Sequence, residues 1–183
     1  MNNINNMNMN QMNPLNNYNN NSMRLIGLSR LRKEFQLCDQ DDELIQIGCS
    51  FGLFDNNMYT WKVTMLGPKD TPYEGGIFTI KITFPEDYPN HGPDFKFMNK
   101  IYHLNVEYKN KNDFGHISLR SLNELRICGK VQDKPVFGVK QALFDIFCLF
   151  YNQGIDSPYD DILADRYVNN RAKFDKIAKE WTE

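Results

Sequence analysis

Cysteine is scarce in this chain. Its four residues (Cys38, Cys49, Cys128 and Cys148) stand far apart, with no Cys-x-x-Cys pair and no histidine at zinc-ligand spacing. That spacing argues against a disulfide framework or a structural zinc site, so no metal and no cofactor is expected. Long apolar runs are missing too. Nothing reaches the roughly 18 consecutive apolar residues of a membrane-spanning helix. The first residues also lack the basic-then-apolar order of a signal peptide, and the expected setting is reducing, cytosol or nucleus. A net charge of -2 gives no general reason to expect nucleic acid or an anionic membrane as partner.

What is present is ordinary globular material, with 41% hydrophobic and 24% charged residues over 183 positions, enough for one domain with a full core. Residues 1–22 are dominated by Asn with scattered Met. They carry too little apolar surface to offset the entropy of ordering, so a disordered tail is expected there and a folded domain over 23–183. From Met23, Leu25, Leu28, Leu31 and Phe35 recur at helical spacing, with Arg24, Arg30, Arg32 and Lys33 on the polar side. The period then changes to two. Tyr59, Trp61, Val63 and Met65 alternate with polar residues, as do Phe78, Ile80, Ile82 and Phe84. Ile45, Ile47 and Cys49 suggest an earlier strand, and Phe95 and Phe97 a later one. Short connections favour an antiparallel meander.

Residues 99–137 are irregular, and so long a stretch without regular structure points to function. Val139, Ala142, Leu143, Ile146, Phe147 and Phe150 then mark a central buried helix, with Cys148, like Cys49, on a face expected to be buried. A short helix from about Asp160 and a last one carrying Phe174, Ile177, Ala178 and Trp181 complete an α+β order, helices segregated from an antiparallel sheet.

Several segments carry a family likeness. They are Trp61 with Gly67-Pro68-Lys69-Asp70-Thr71-Pro72-Tyr73-Glu74-Gly75-Gly76, then Phe84-Pro85-Glu86-Asp87-Tyr88-Pro89, then Ile101-Tyr102-His103-Leu104-Asn105. Gly115-His116-Ile117-Ser118-Leu119, Asp156-Ser157-Pro158 and Glu180-Trp181-Thr182 follow. In this order and spacing they resemble the ubiquitin-conjugating (UBC) family over about residues 23–183. Taken one by one, most are explained by turns and strand starts, and so they speak for fold before activity.

The resemblance implies a UBC fold: an N-terminal helix, a four-stranded antiparallel meander, a long active-site loop, and central and C-terminal helices. It also implies a nucleophile. Working members carry ubiquitin or a relative as a thioester on a cysteine after Gly-x-Ile, and here that position is Ser118. A thiolate is both a strong nucleophile near neutral pH and a good leaving group when lysine attacks. A hydroxyl needs a base to attack, and its ester transfers poorly. His103 and His116 are the nearby bases in sequence, with His91 more distant, and no acid is placed to complete a triad. The family residue matching His103 stabilises the loop.

Other roles are implied position by position. Asn105 matches the asparagine that stabilises the oxyanion or the loop. Asp156 and Ser157 match positions that help place and deprotonate the incoming lysine, although Ser157 stands where an aspartate is frequent. A turn between helices is the plainer reading of these two. Arg24, Arg30, Arg32 and Lys33 match a surface that meets the activating enzyme, and a solvated helix face is the alternative. Ser50 lies on the sheet face that binds a second modifier non-covalently in some members. Pro89 and Asn90 face the ligase, with Asn90 polar where an apolar anchor is common.

Three departures gather around Ser118. Leu104 replaces the usual proline, both flanking loops are longer than in the family, and the tryptophan–serine–proline after the nucleophile is missing. Cys128 lies in the second loop, as a substitute nucleophile or an incidental thiol. Three readings follow. One is a UBC-fold protein that does not form the usual thioester and binds a modifier or an active conjugating enzyme. Another is an active conjugating enzyme whose cysteine was exchanged for Ser118 in this sequence. The last is a UBC-fold scaffold. Expected partners are ubiquitin or a ubiquitin-like protein, with an activating enzyme, a ligase or an active conjugating enzyme.

Overall fold

The computed structural model describes the backbone of residues 14–127 and 138–183, with side chains over 25–124 and 138–183. Cys128 lies outside the described residues. The elements run α1 (Pro14–Asp39), α2 (Asp42–Gln46), β1 (Ser50–Leu53), β2 (Thr60–Leu66), β3 (Ile77–Thr83), β4 (Asp94–Phe97), α3 (Arg120–Ile127), α4 (Val139–Tyr151), α5 (Asp161–Asn169) and α6 (Arg171–Thr182). The strands form one antiparallel meander in the order β1-β2-β3-β4.

Strict alternation explains the sheet's two faces. Trp61, Val63 and Met65 on β2, Phe78, Ile80 and Ile82 on β3, and Phe95 and Phe97 on β4 all point into the core. Cross-strand register stacks them, Trp61 against Ile82 and Ile80 against Phe97. The apolar stripe of α4 closes this face. Phe150 meets Phe78 at 5.0 Å and Tyr73 at 5.2 Å between ring centroids. Side chains of this size contribute about 1.5–3 kcal/mol each when fully buried. Near the chain's end, Phe174 and Trp181 of α6 pack on Tyr102 at 5.0 and 5.2 Å, so the last helix supports the loop after β4.

Four local expectations are corrected. The first helix is drawn from Pro14, inside the Asn-rich stretch expected to be tail, and not from Met23. Proline at a first helical position has its φ already set and loses no hydrogen bond. On that helix Leu31 is fully buried and Phe35 packs on the core, but Leu25 is 68% exposed. Ile45 belongs to a short helix, not a strand. Asp41 caps it, its carboxylate accepting from the N–H groups of Glu43 and Leu44 at 3.1 Å, and the first edge strand starts only at Ser50. Within the stretch expected to be irregular, Arg120–Ile127 is helical, with Leu122 buried and Arg120 paired to Glu124 at 2.7 Å. Cys148, expected to be buried on α4, is exposed, since it lies one step off the stripe of Ile146, Leu149 and Phe150.

Candidate active site

Ser118 is set by the extended segment just before α3. Ile117 bridges Val106 and His116 bridges Lys96, both antiparallel, which attaches this segment to the sheet edge. Gly115 makes the attachment possible. Its φ is +77°, and a Cβ there would lie 1.8 Å from the Phe97 carbonyl oxygen. Phe97 N–H donates to the Gly115 carbonyl, and Gly115 N–H to that of Glu107, both at 2.8 Å. Ile117 is buried, so His116 and Ser118, two residues apart on an extended strand, project to the opposite face. The Ser118 N–H donates to the Asn105 carbonyl at 2.8 Å. Its side chain is half-buried.

Neither nearby histidine is placed as a base for Ser118. His103 is 2% exposed and occupied at both nitrogens, Nδ1 accepting from the Asn105 N–H at 3.0 Å and Nε2 donating to the Leu149 carbonyl at 3.0 Å. That pairing fixes one neutral tautomer. Burial pushes its pKa down to about 4, against the partial support of the Leu149 carbonyl. His116 is held by the Tyr159 hydroxyl at Nδ1, with Asp94 4.0 Å from Nε2. His91 pairs with Asp87 at 2.5 Å within the turn after β3.

Asn105 is buried and ties two loops together. Its Nδ2 donates to the carbonyls of Gly154 at 2.8 Å and Ser157 at 3.2 Å, and its Oδ1 accepts from the Gly154 N–H at 2.8 Å. Both amide hydrogens are thereby used on the segment that carries Asp156 and Ser157. Those two side chains are exposed, and the Ser157 main-chain oxygen, not its hydroxyl, meets Asn105. The acidic group with partners in this region is Asp160. It binds Lys109 and caps α5 through the Ile162 N–H at 2.9 Å. Burial opposes ionisation there, but the Lys109 bond and the cap hold the carboxyl below its usual range.

Sequence reading missed Gln153. Leu104 is fully buried, and its N–H donates to Gln153 Oε1 at 2.8 Å. Gln153 Nε2 in turn donates to the Tyr73 hydroxyl at 2.7 Å, which donates to the Tyr102 carbonyl at 2.8 Å. The available signal was Leu104 itself. A leucine in place of proline brings an N–H into a buried loop, and that donor needs an acceptor.

The remaining candidates lie apart from Ser118. Arg30 is engaged within the chain, its Nε donating to Glu34 at 2.8 Å, while the Tyr88 hydroxyl reaches the same carboxylate at 2.7 Å. This joins α1 to the turn that carries Pro89 and Asn90, both half-buried. Arg32 and Lys33 are exposed, and the side chain of Arg24 lies outside the described residues. Ser50 opens β1, exposed and paired with Thr64. Burial pushes the Cys38 and Cys49 thiols up to about 12, away from thiolate chemistry. Cys148 opens onto a shallow groove of about 420 Å³ beside Leu119, Arg120 and Ser121, the residues that follow Ser118. Among the described residues no three metal-binding side chains converge, and no helix is long and apolar enough to cross a membrane.

The ubiquitin-conjugating enzyme family model matches residues 30–182. A solved Plasmodium yoelii protein assigned as a ubiquitin conjugating enzyme is 34% identical, with a TM-score of 0.71 over 85% of this chain and 92% of that one. The E2 domain of a Toxoplasma gondii ubiquitin conjugating enzyme is 30% identical, with a TM-score of 0.67 over 84% of this chain and 94% of that one. The chain belongs to the ubiquitin-conjugating enzyme family, whose members work with ubiquitin or ubiquitin-like proteins, activating enzymes and ligases.

Proposed function

We propose that this chain acts in a ubiquitin or ubiquitin-like pathway without forming the usual thioester, because Ser118 stands at the nucleophile position. One observation carries the reading: among the described residues no base is hydrogen-bonded to the Ser118 hydroxyl, and both nearby histidines are committed elsewhere. Without a base an alcohol stays protonated at neutral pH and attacks poorly. The Asn105 amide serves as a loop tie on this reading and has no hydrogen left for an oxyanion. Binding then replaces transfer. A modifier or an active conjugating enzyme is held, with Arg32 and Lys33 meeting an activating enzyme, Ser50 a modifier, and Pro89 and Asn90 a ligase. Localisation to cytosol or nucleus belongs to the same proposal.

A second reading draws on the intact frame. Gly115, Asn105 and the Ser118 N–H still hold the nucleophile position in place, as an active enzyme with its cysteine exchanged for Ser118 requires. Ser118→Cys separates the two. On the first reading this variant discharges a loaded modifier to free lysine only weakly, because the loops on both sides are altered. Rapid lysine discharge would favour the second.

A further inference from the structure

Two helices, α5 and α1, each keep a charged outer face with exposed apolar flanks, and the two faces are opposite in sign. α5 turns Leu163 into the core, with Ala164 and Tyr167 packed beside it. Its exposed residues Asp161, Ile162, Asp165 and Val168 therefore share one outward arc, about a third of the circumference at 3.6 residues per turn. Asp161 and Asp165 stand one turn apart in the middle of that arc, where like charges repel. The helix dipole favours Asp161 in the first turn but not Asp165 a turn later. Among the described residues neither carboxylate has an ion-pair partner, and Asp165 only accepts from the Asn169 amide at 2.7 Å. On either side of the pair, Ile162 and Val168 are 64% and 57% exposed.

α1 presents the converse. Leu31 and Cys38 face the core, and Arg32 and Lys33 lie on the outward side. Unlike Arg30, neither has an ion-pair partner among the described residues. Leu25, Ile26 and Leu37 flank them, with Ile26 and Leu37 both 61% exposed. At the rise of an α-helix, Leu25 to Leu37 covers ~18 Å and Asp161 to Val168 ~11 Å, so α5 fits within the bare part of α1.

A solvated face accounts for charge on a helix. It does not account for apolar side chains more than half exposed on both sides of that charge, since exposed apolar residues are ordinary only when scattered singly. The acidic sign of α5 excludes nucleic acid and anionic lipid as its partner. The match in sign, flanks and length points to the chain itself.

We propose that α5 of one copy docks on α1 of a second copy. Asp161 and Asp165 pair with Arg32 and Lys33 of the second copy, and Ile162 and Val168 cover its Leu25, Ile26 and Leu37. The contact uses neither Ser118 nor the sheet and goes beyond the function proposed above. A copy seated on α1 excludes an activating enzyme from Arg32 and Lys33. Because the two faces differ, the contact continues from copy to copy unless two copies make it reciprocally.

The test is sedimentation equilibrium of the whole chain up to several hundred micromolar, since a contact this small is weak. The average mass should climb above that of one chain with concentration, and climb less at high salt. Arg32→Glu with Lys33→Glu sets acid against acid, and Asp161→Lys with Asp165→Lys sets cation against cation. Each double variant alone should stay monomeric. Mixed in equal amounts, they again oppose unlike charges, and association should return. Asp165→Lys alone, which leaves Asp161 at the helix start, should already weaken association several-fold. Lys69→Glu in the loop after β2 should change nothing. A chain that stays monomeric at the highest concentration would overturn the proposal. So would association that survives either double variant, or a mixture no more associated than its parts.

Discussion

The backbone N–H of Leu104 and the side chain of Gln153, 49 residues apart in the chain, form a buried 2.8 Å hydrogen bond. The pair explains how a leucine is accommodated where the family commonly has proline. Gln153→Leu strands the Leu104 donor and should cost about 1–3 kcal/mol. Leu104→Pro strands the Gln153 acceptor and should cost a similar amount. Because both remove the same bond, the double variant should lose clearly less than the sum in urea unfolding. Simple additivity would mean that the two are not coupled.

His103 predicts a pH dependence. Its folded pKa of about 4 lies below the usual 6.5, chiefly through burial. The unfolded chain therefore takes up a proton that the native chain refuses. Stability is full above about pH 6.5 and falls as pH drops towards about 4, by about 3 kcal/mol at most. Urea midpoints across this range should follow that slope. In His103→Gln, which keeps a donor and an acceptor, this part of the slope should disappear.

Asn105 should act first on the segment of residues 154–157. Asn105→Asp retains the acceptor for the Gly154 N–H but sets an oxygen against the carbonyls of Gly154 and Ser157. A loss of about 1–3 kcal/mol or more is expected, with faster hydrogen exchange at Gly154 before the sheet exchanges. Unchanged exchange there would show that the tie is dispensable.

Thiol labelling should sort the described cysteines by exposure. In a Cys128→Ser background, Cys148 should react with a maleimide in the native state. Cys38 and Cys49 should react only on unfolding, being 6% exposed with pKa values pushed up to about 12. Native labelling of Cys38 or Cys49 would contradict the packing.

Much of the fold was legible because strand alternation is a strong local signal. Trp61 to Met65 and Phe78 to Ile82 have the period and the burial that a half-covered sheet demands. The region of Ile45 to Cys49 was not legible from its alternation, because Ile45 lies in the short helix that Asp41 caps, Ile47 ends that helix and Cys49 precedes the first strand. In the site, motif order located Ser118, Asn105 and His103, but a motif does not state where a hydrogen bond goes. The commitment of His103 Nε2 and of the Asn105 amide, and the bond from Leu104 to Gln153, depend on contacts across 46 to 52 residues of chain. The exposure of Cys148 turned on one step of helical phase.

The central claim is tested most directly by charging the unaltered chain. It is incubated with activating enzyme, ATP and a panel of ubiquitin-like modifiers, and resolved on reducing and non-reducing gels. The account predicts no thiol-sensitive adduct with any of them. A thiol-sensitive band would contradict it and implicate one of the four cysteines, and a thiol-resistant band cleaved by hydroxide would contradict it by showing an ester on Ser118.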